Sequence, residues 1–385
     1  MENKLERLIQ EKCPNGVEYK KIGDICTISK GKQLNKNLLS NNAKYPVING
    51  GIEPSGYWNE YNFAEGLITI SQGGASAGYV NYIETPFWAG AHCYVIKSVG
   101  KDINYRYIYH FLKSKEVYLQ KSQVGAGIPS VSLGEIKELK VAIPPMEIQI
   151  EIARILDNFT ELTAELTAEL TARQKQYEYY RNKLLSFDES AESLDTLHTH
   201  THGYFYGQEI ELVKLSVLTN RIYSGSNNER SNEGDFPVYG SKGIIGKTNE
   251  YRFEGDRILI ARVGAYAGAV QIAKGKYDVT DNTLIIDLKS EKINMKYLYY
   301  YLLRSNLNQY ARGGGQPLIT GKQLKNLVIP VPPIEIQEII VNILDKFDKL
   351  TNDISEGLPA EIEARQKQYE HYRNKLLSFK ELKTA

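Results

Sequence analysis

The chain repeats itself at an offset of 192 residues within a length of 385. Ala172-Arg-Gln-Lys-Gln-Tyr-Glu-Tyr-Tyr-Arg-Asn-Lys-Leu-Leu-Ser-Phe187 returns as Ala364-Arg-Gln-Lys-Gln-Tyr-Glu-His-Tyr-Arg-Asn-Lys-Leu-Leu-Ser-Phe379, with fifteen of sixteen positions identical and only Tyr179 exchanged, for His371. Self-similarity at a fixed period constrains architecture before any other signal does, and this period is far longer than the roughly 20–50 residues of a solenoid repeat. Each copy is therefore expected to be a domain with its connector.

Weaker landmarks keep the same order in both halves. Val17-Glu-Tyr-Lys-Lys-Ile22 matches Ile210-Glu-Leu-Val-Lys-Leu215, and Tyr45-Pro-Val47 matches Phe236-Pro-Val238. Gly74-Ala-Ser-Ala-Gly78 matches Gly264-Ala-Tyr-Ala-Gly268, and Ile103-Asn-Tyr-Arg-Tyr-Ile108 matches Ile293-Asn-Met-Lys-Tyr-Leu298. Gly127-Ile-Pro129 matches Gly315-Gln-Pro317, and Ile143-Pro-Pro-Met-Glu-Ile-Gln149 matches Val331-Pro-Pro-Ile-Glu-Ile-Gln337. Between these points the residues diverge. One scaffold has been kept twice, with different surfaces mounted on it.

Each copy has two parts. The first, about 16–140 and 209–328, carries short apolar runs such as Leu67-Ile-Thr-Ile70, Arg257-Ile-Leu-Ile260 and Thr283-Leu-Ile-Ile-Asp287, bounded by Gly, Asn and Ser. These read as strands. A helix through Tyr107, Ile108, Phe111 and Leu112 (Tyr297, Leu298, Tyr301 and Leu302 in copy two) makes the globule mixed α/β. The second part contains no Gly or Pro from Met146 to Phe187 and follows Pro144-Pro145, where a helix can start. Ile148, Ile152, Ile155, Phe159, Leu162, Leu166, Tyr177, Tyr180 and Leu184 give a heptad seam, broken by polar residues around 169–173. At ~1.5 Å per residue such a helix reaches on the order of 60 Å. The second helix starts at Ile334 and is expected to break near Gly357-Leu-Pro359, resuming by Ile362. The interval Asp345–Arg365 exceeds Asp157–Arg173 by four residues, and copy one carries Thr163-Ala-Glu-Leu166 twice in tandem, a unit that can be gained or lost without breaking a helix.

Composition bounds the function. Lys+Arg 47 against Asp+Glu 46 gives a net charge of +1, so nucleic-acid binding would rest on a local stripe. Cys13, Cys26 and Cys93 lack metal-ligand spacing and read as reduced thiols. No apolar stretch is long enough to span a membrane, and the start has no signal-peptide core, so a soluble cytoplasmic protein with no membrane partner is expected. His198, His200 and His202 alternate in the connector, but no Cys or carboxylate pair completes a zinc site; a linker and a metal site both stay open there. Gly246-Lys247-Thr248 resembles the end of a phosphate-binding loop, yet Ser241 stands where that loop needs glycine. Ser71, Ser224 and Cys93 have no partnered His/Asp arrangement, and His92 and His110 read as packing or surface residues. No catalytic or metal residue is assigned.

Two diverged globules alternating with two near-identical helices, with the Thr-Ala-Glu-Leu units and the Arg-Gln-Lys-Gln-Tyr-x-x-Tyr-Arg-Asn-Lys-Leu-Leu-Ser-Phe block, closely resemble the specificity subunit of type I restriction–modification systems over essentially the whole chain. The resemblance implies α/β (mixed α+β) target recognition domains at 1–145 and 209–333, each reading half of a bipartite asymmetric DNA site. It implies conserved helices at 146–187 and 334–379 that pair as an antiparallel coiled coil about a pseudo-twofold axis, a linker at 188–208 and a tail at 380–385. The partners implied are double-stranded DNA and two methyltransferase subunits, with or without two restriction/translocase subunits. This chain would carry no cofactor; S-adenosylmethionine, and ATP with Mg for restriction, belong to the partner subunits. A helix four residues longer moves its end by ~6 Å, under two base-pair steps of ~3.4 Å, so helix length is expected to set the spacer. The Gly357/Pro359 break departs from the tetrapeptide pattern of copy one.

Sequence readout needs Arg, Lys, Asn or Gln at base edges. Candidates in copy one are Lys30, Lys32, Gln33, Gln72, Ser76 and Gln123; in copy two they are Arg221, Ser224, Asn227, Lys242, Arg262, Tyr266, Arg312 and Gln316. A solvated-surface reading stays open for each. Gly74, Gly78, Gly264 and Gly268 read as turn residues. Tyr177, Tyr180 and Leu184, with Tyr369, Tyr372 and Leu376, read as seam. Arg173, Lys175, Gln176, Arg181 and Asn182, kept alike as Arg365, Lys367, Gln368, Arg373 and Asn374, read as exposed surfaces for two copies of one partner, with DNA-backbone contact as the competing reading. The rival function is a two-domain coiled-coil adaptor that binds protein and not DNA.

Overall fold

The computed structural model describes residues 2–121, 130–186, 210–228, 231–289, 291–313, 316–353 and 355–382. Two compact units partition the chain, one of residues 1–167 and 361–385, the other of 168–360. The connector histidines, Gln123 and Gly127-Ile-Pro129 lie outside the described residues.

The first unit runs α1 (Glu2–Lys12), β1 (Glu18–Lys21), α2 (Ile22–Ile25), β2 (Cys26–Lys30), β3 (Tyr45–Ile48), β4 (Tyr57–Trp58), β5 (Leu67–Ser71), β6 (Val80–Ile83), β7 (Trp88–Ala89), β8 (Cys93–Val99), α3 (Tyr105–Ser114), α4 (Glu116–Lys121), α5 (Leu133–Glu138), β9 (Lys140–Ile143) and the first part of α6 (Met146–Leu184). Strands β2-β8-β5-β6 form an antiparallel sheet, β4-β3-β7 a smaller one with β3 parallel to β7, and β1 pairs with β9. Burial is continuous over Ile68–Ser71 of β5 and Cys93–Ile96 of β8 because both faces of the main sheet are covered. Ile68, Ile70, Tyr94 and Ile96 point to a core shared with α3 and α6, while Cys93 and Val95 point to a second core with Ile48 and Phe87. The register Ile68↔Ile96 and Ile70↔Tyr94 keeps each set on its own face.

Helix α6 begins where Pro145 O accepts from Ile148 N and Gln149 N. Its first turns bury Ile148, Ile152 and Leu156 completely, each worth roughly 1.5–3 kcal/mol relative to exposure. The C-terminal helix (Leu358–Leu376) packs beside this stretch: Phe159 stacks on Tyr372 at 5.4 Å, and Ile155 shares a pocket wall with Leu376. Numbers fall on one helix as they rise on the other, so within this unit the two run antiparallel. The first residues of the segment expected to be a tail, 380–382, are instead stitched into the unit. Val17 N donates to Lys380 O at 2.9 Å, Leu382 N to Val17 O at 2.9 Å and Tyr19 Oη to Phe379 O at 2.9 Å. Gly16 (φ +105°) permits this approach, since a Cβ there would sit 2.5 Å from Lys380 O.

The second unit repeats the plan with β10 (Glu211–Lys214), α7 (Leu215–Leu218), β11 (Thr219–Ser224), β12 (Phe236–Gly240), β13 (Gly243–Thr248), β14 (Phe253–Glu254), β15 (Arg257–Ala261), β16 (Val270–Ala273), β17 (Lys276–Val279), β18 (Thr283–Leu288), α8 (Met295–Arg304), α9 (Gly321–Lys325), β19 (Val328–Val331) and α10 (Ile334–Asn352). Its sheets are β11-β18-β15-β16, β13-β12-β17-β14 and β10-β19. Ile258, Ile260, Leu284 and Ile286 face the main core; Leu259 and Ile285 face the smaller one. Tyr180 of α6 stacks on Phe347 of α10 at 5.6 Å, and Tyr177 and Leu184 are buried beside it.

The break expected after α10 is present, and it depends on Gly357. A Cβ there would lie 2.5 Å from Lys349 O, while Asp353 Oδ1 accepts from Ser355 N and Glu356 N to turn the chain. The seam differs from the strict heptad reading at two places. Leu162 is exposed, whereas Thr163, Leu170 and Arg173 lie half-buried. A 3.6-residue helix drifts from a 3.5-residue pattern, so the less exposed stripe shifts by about one position over this length.

Candidate nucleic-acid interface and the repeated helix surfaces

Three loops meet at one end of the main sheet in each unit. In the first unit Gly31 N donates to Cys93 O at 2.9 Å and Lys32 N to Ala89 O at 2.8 Å; in the second, Gly225 N donates to Thr283 O at 3.1 Å and Ser226 N to Val279 O at 3.0 Å. The contact requires glycine: a Cβ on Gly31 would lie 2.2 Å from Gly90 O, and one on Gly225 2.1 Å from Val279 O. Asn49 Oδ1 accepts from His92 N at 2.9 Å, and Gln72 N donates to His92 O at 2.8 Å, tying this loop to the β5–β6 turn. Gly74 and Gly78 (φ +89° and +88°) and Gly264 and Gly268 (φ +79° and +95°) shape that turn, as the sequence implied.

The sequence candidates fall unequally on this end. Lys30, Lys32 and Gln33 are exposed, and Gln72 and Ser76 half-buried, on the connected loops of the first unit. In the second unit Arg262 and Tyr266 occupy the equivalent turn, with Lys242 Nζ 5.2 Å from the Tyr266 ring and Ser241 Oγ donating to Asn282 O at 3.1 Å. Arg312 is exposed and bridges Leu318, which pairs with Val263; Gln316 is also exposed. Arg221 does not join this group: it lies over the Tyr223 ring at 4.0 Å and 3.7 Å from Asp287 on the sheet face. Ser224 is half-buried in β11. Asn227 is 4% exposed and its Nδ2 donates to Asp278 Oδ2 at 2.7 Å, so its amide braces β17 instead of facing outward.

The long helices are anchored to the globules by residues that sequence inspection left without a role. Gln149, fully buried, accepts from Asn104 N at 2.9 Å and donates to Asp102 O at 3.0 Å and Pro144 O at 2.7 Å. Gln337 does the same with Asn294 N, Lys292 O and Pro332 O. The repeated Pro-Pro-x-Glu-Ile-Gln motif therefore encodes a three-bond clamp, two bonds reaching the N-terminus of α3 or α8 and the third closing on the proline carbonyl at the glutamine's own helix entry. A second anchor lies about two turns further on. Asp157 accepts from His110 Nε2 at 2.7 Å and pairs with Arg106, and Tyr369 Oη is 3.2 Å from His110 Nδ1. At the matching place Asp345 accepts from Tyr300 Oη at 2.6 Å and pairs with Lys296. Burial holds His110 below the ordinary histidine value, with Asp157 opposing. Burial also pushes Asp157 upward, but hydrogen bonds from His110 and Arg106 win and hold it below the usual carboxylate value. His110 is thus a buried, bonded residue, in keeping with a packing role.

The repeated block adopts one geometry twice. Arg173 Nη1 donates to Gln176 at 3.0 Å, and Arg365 Nη1 to Gln368 at 3.3 Å; each arginine also approaches a glutamate one turn earlier (Glu169, Glu361) at 3.5 Å. Arg181 lies over the Tyr177 ring at 5.5 Å and Arg373 over Tyr369 at 5.3 Å. The sequence implies that all of these side chains are exposed, but Arg173, Gln176, Arg181, Arg365 and Arg373 are half-buried because they lie along their own helix or on a seam tyrosine. Lys175, Asn182, Lys367, Gln368 and Asn374 are exposed. Beside the C-terminal block, a pocket of about 340 Å³ is lined by Leu5, Ile9, Ile155, Phe159, Tyr372 and Leu376.

Among the described residues no group of three His, Cys, Asp or Glu could hold a metal, and no helix is long and apolar enough to cross a membrane. The three cysteines are free and buried, and burial pushes the Cys26 and Cys93 thiols up to about 12.

A family model described as type I restriction modification DNA specificity domain matches residues 14–173 and again 211–364. A putative type I restriction enzyme specificity subunit of Haemophilus influenzae is 32% identical, the match covering 97% of this chain and 98% of that protein. The EcoprrI specificity subunit of Escherichia coli is 34% identical over 76% of this chain and 74% of its own length. Among solved structures, the type I restriction–modification S subunit from M. genitalium shares the fold at a TM-score of 0.70 and 21% identity, covering 95% of this chain and 98% of that one. With both repeats matched by the family and one relative aligned along nearly the whole chain, this chain belongs to the specificity subunits of type I restriction–modification systems.

Proposed function

We propose that this chain is the non-catalytic DNA-reading subunit of its complex, each globule contacting one half of a bipartite target and the repeated helix surfaces receiving two copies of a methyltransferase subunit. The observation that carries this reading is the contrast between the two kinds of repeat. At the loop end, equivalent backbone frames carry unlike side chains, as expected of two readers with different targets. On the helices, like side chains recur in like geometry, as expected of two docking surfaces for one partner. Lys30, Lys32, Gln33, Gln72 and Ser76, and Lys242, Arg262, Tyr266, Arg312 and Gln316, are the residues we assign to DNA; Lys175, Asn182, Lys367, Gln368 and Asn374 lead the partner surface. S-adenosylmethionine belongs to the partner in this scheme. We also assign spacer length to the helices, through the Thr-Ala-Glu-Leu units of copy one.

The test is exchange of residues 209–328 for the same segment of a relative, co-expression with the methyltransferase subunit, and sequencing of methylated positions. One half of the methylated motif should change and the other persist. A motif untouched by the exchange removes the proposal. A chain that shifts no random duplex DNA at any salt concentration, with or without the partner, favours the protein-binding adaptor instead, because phosphate contacts impose a salt-dependent affinity.

A further inference from the structure

Resting on the DNA-reading proposal, we infer that Gln72 and Arg262 are one structural position used twice, and that they set one base in each half-site, Gln72 an adenine and Arg262 a guanine. The backbone frames match bond for bond. Gln72 N donates to His92 O at 2.8 Å and Arg262 N to Asn282 O at 2.9 Å; Val131 N donates to Gln72 O and Ile319 N to Arg262 O, both at 2.8 Å. Two residues on, Gly74 and Gly264 turn the chain with nearly the same positive φ. The turn closes alike, Gly78 N to Ser71 O and Gly268 N to Ala261 O, both at 2.8 Å. With N–H and C=O spent identically in both units, the side chain is what distinguishes the two positions.

Both side chains have unspent hydrogen-bonding capacity. Gln72 is half-buried, and its Oε1 has no partner among the described residues where it lies; turning the side chain outward to a base edge would relieve the cost of that unpaired polar atom. Among the described residues the Arg262 side chain makes one long hydrogen bond, Nη1 to Asp281 O at 3.4 Å. The adjoining turn faces open space: a Cβ on Gly264 would meet nothing within 4 Å, and one on Gly74 only Gly50 O at 3.9 Å. Glutamine and arginine are the side chains whose two adjacent hydrogen-bonding atoms match, respectively, N6/N7 of adenine and O6/N7 of guanine in the major groove. A shared frame that holds glutamine in one copy and arginine in the other is therefore a device for reading different purines.

The test expresses Gln72→Arg, Arg262→Gln, Gln72→Ala and Arg262→Ala chains with the methyltransferase subunit and sequences methylated positions in host genomic DNA. Gln72→Arg should convert one adenine of one half-site to guanine, and Arg262→Gln should do the reverse in the other half-site. The alanine variants should relax the same single positions, with discrimination there falling on the order of 10- to 100-fold. Retention of the original motif in all four chains overturns the inference. So does loss of methylation at all sites alike in the alanine variants, because removing one base contact must leave the other positions read. The 209–328 exchange, run in parallel, separates the two proposals: if it alters half the motif while these variants do not, only the Gln72/Arg262 assignment fails.

Discussion

Replacing Gln149 with leucine tests whether the helix clamp is a principal anchor of the first globule. Leucine fills nearly the same volume but offers no polar atom, so Asn104 N, Asp102 O and Pro144 O lose their partner at a fully buried site. Each such loss costs roughly 1–3 kcal/mol. Allowing for partial relaxation and a small apolar gain, the variant should be destabilised by about 3 kcal/mol. Both tryptophans, Trp58 and Trp88, lie in the first unit, so tryptophan fluorescence follows that unit alone. With a urea dependence of about 3 kcal/mol per M for a unit of this size, the fluorescence midpoint should fall by about 1 M. Gln337→Leu, at the equivalent clamp, is read by far-UV circular dichroism because the second unit has no tryptophan. A fluorescence midpoint within about 0.2 M of the parent would refute the clamp as the source of that stability.

Three further outcomes are expected. Because folded His110 binds its proton less readily than an unfolded histidine of pKa 6.5, its contribution to stability is complete above that pH and is lost as pH falls below it. The fluorescence midpoint should therefore drop between pH 7 and 5, and His110→Tyr, which installs the residue found at Tyr300, should flatten that drop; equal slopes would contradict the assignment. Gly225→Ala should cost about 2 kcal/mol or more by driving a methyl into Val279 O, against about 1 kcal/mol for Gly255→Ala, where positive φ is the only penalty; circular-dichroism melts would rank them, and equal melts would refute the close-approach argument. A third Thr-Ala-Glu-Leu unit inserted after Leu166 should lengthen the spacer of the methylated motif by one or two base pairs with both half-sites unchanged, as ~6 Å of added helix requires; an unchanged spacer would end the ruler reading.

Much of this architecture is legible in the sequence because local signals and the repeat agree. Short apolar runs in β5, β15 and β18, the absence of Gly and Pro through α6, and Gly357-Leu-Pro359 each state a local conformation that the fold keeps. What escapes is what depends on partners distant in sequence. Nothing near Lys380 announces that it pairs with Val17, and nothing near His110 announces Asp157 or Tyr369. The candidate loops were legible as glycine-punctuated segments, but not which side chains they present. Arg221 and Asn227 have the right chemistry for DNA, and Asp287 and Asp278 have claimed both. The glycine landmarks at 74–78 and 264–268 already align Gln72 with Arg262; what the backbone hydrogen bonds add is that the two positions share one frame, so that their side chains face equivalent surroundings.

In the proposed function each globule reads its own half-site independently of which helix carries it. Replacing residues 209–328 with a second copy of residues 16–140, co-expressing the chain with the methyltransferase subunit and sequencing methylated positions tests it most directly. The methylated motif should then carry one and the same sequence in both halves, that read by the first globule. A motif that keeps two unlike halves would contradict it.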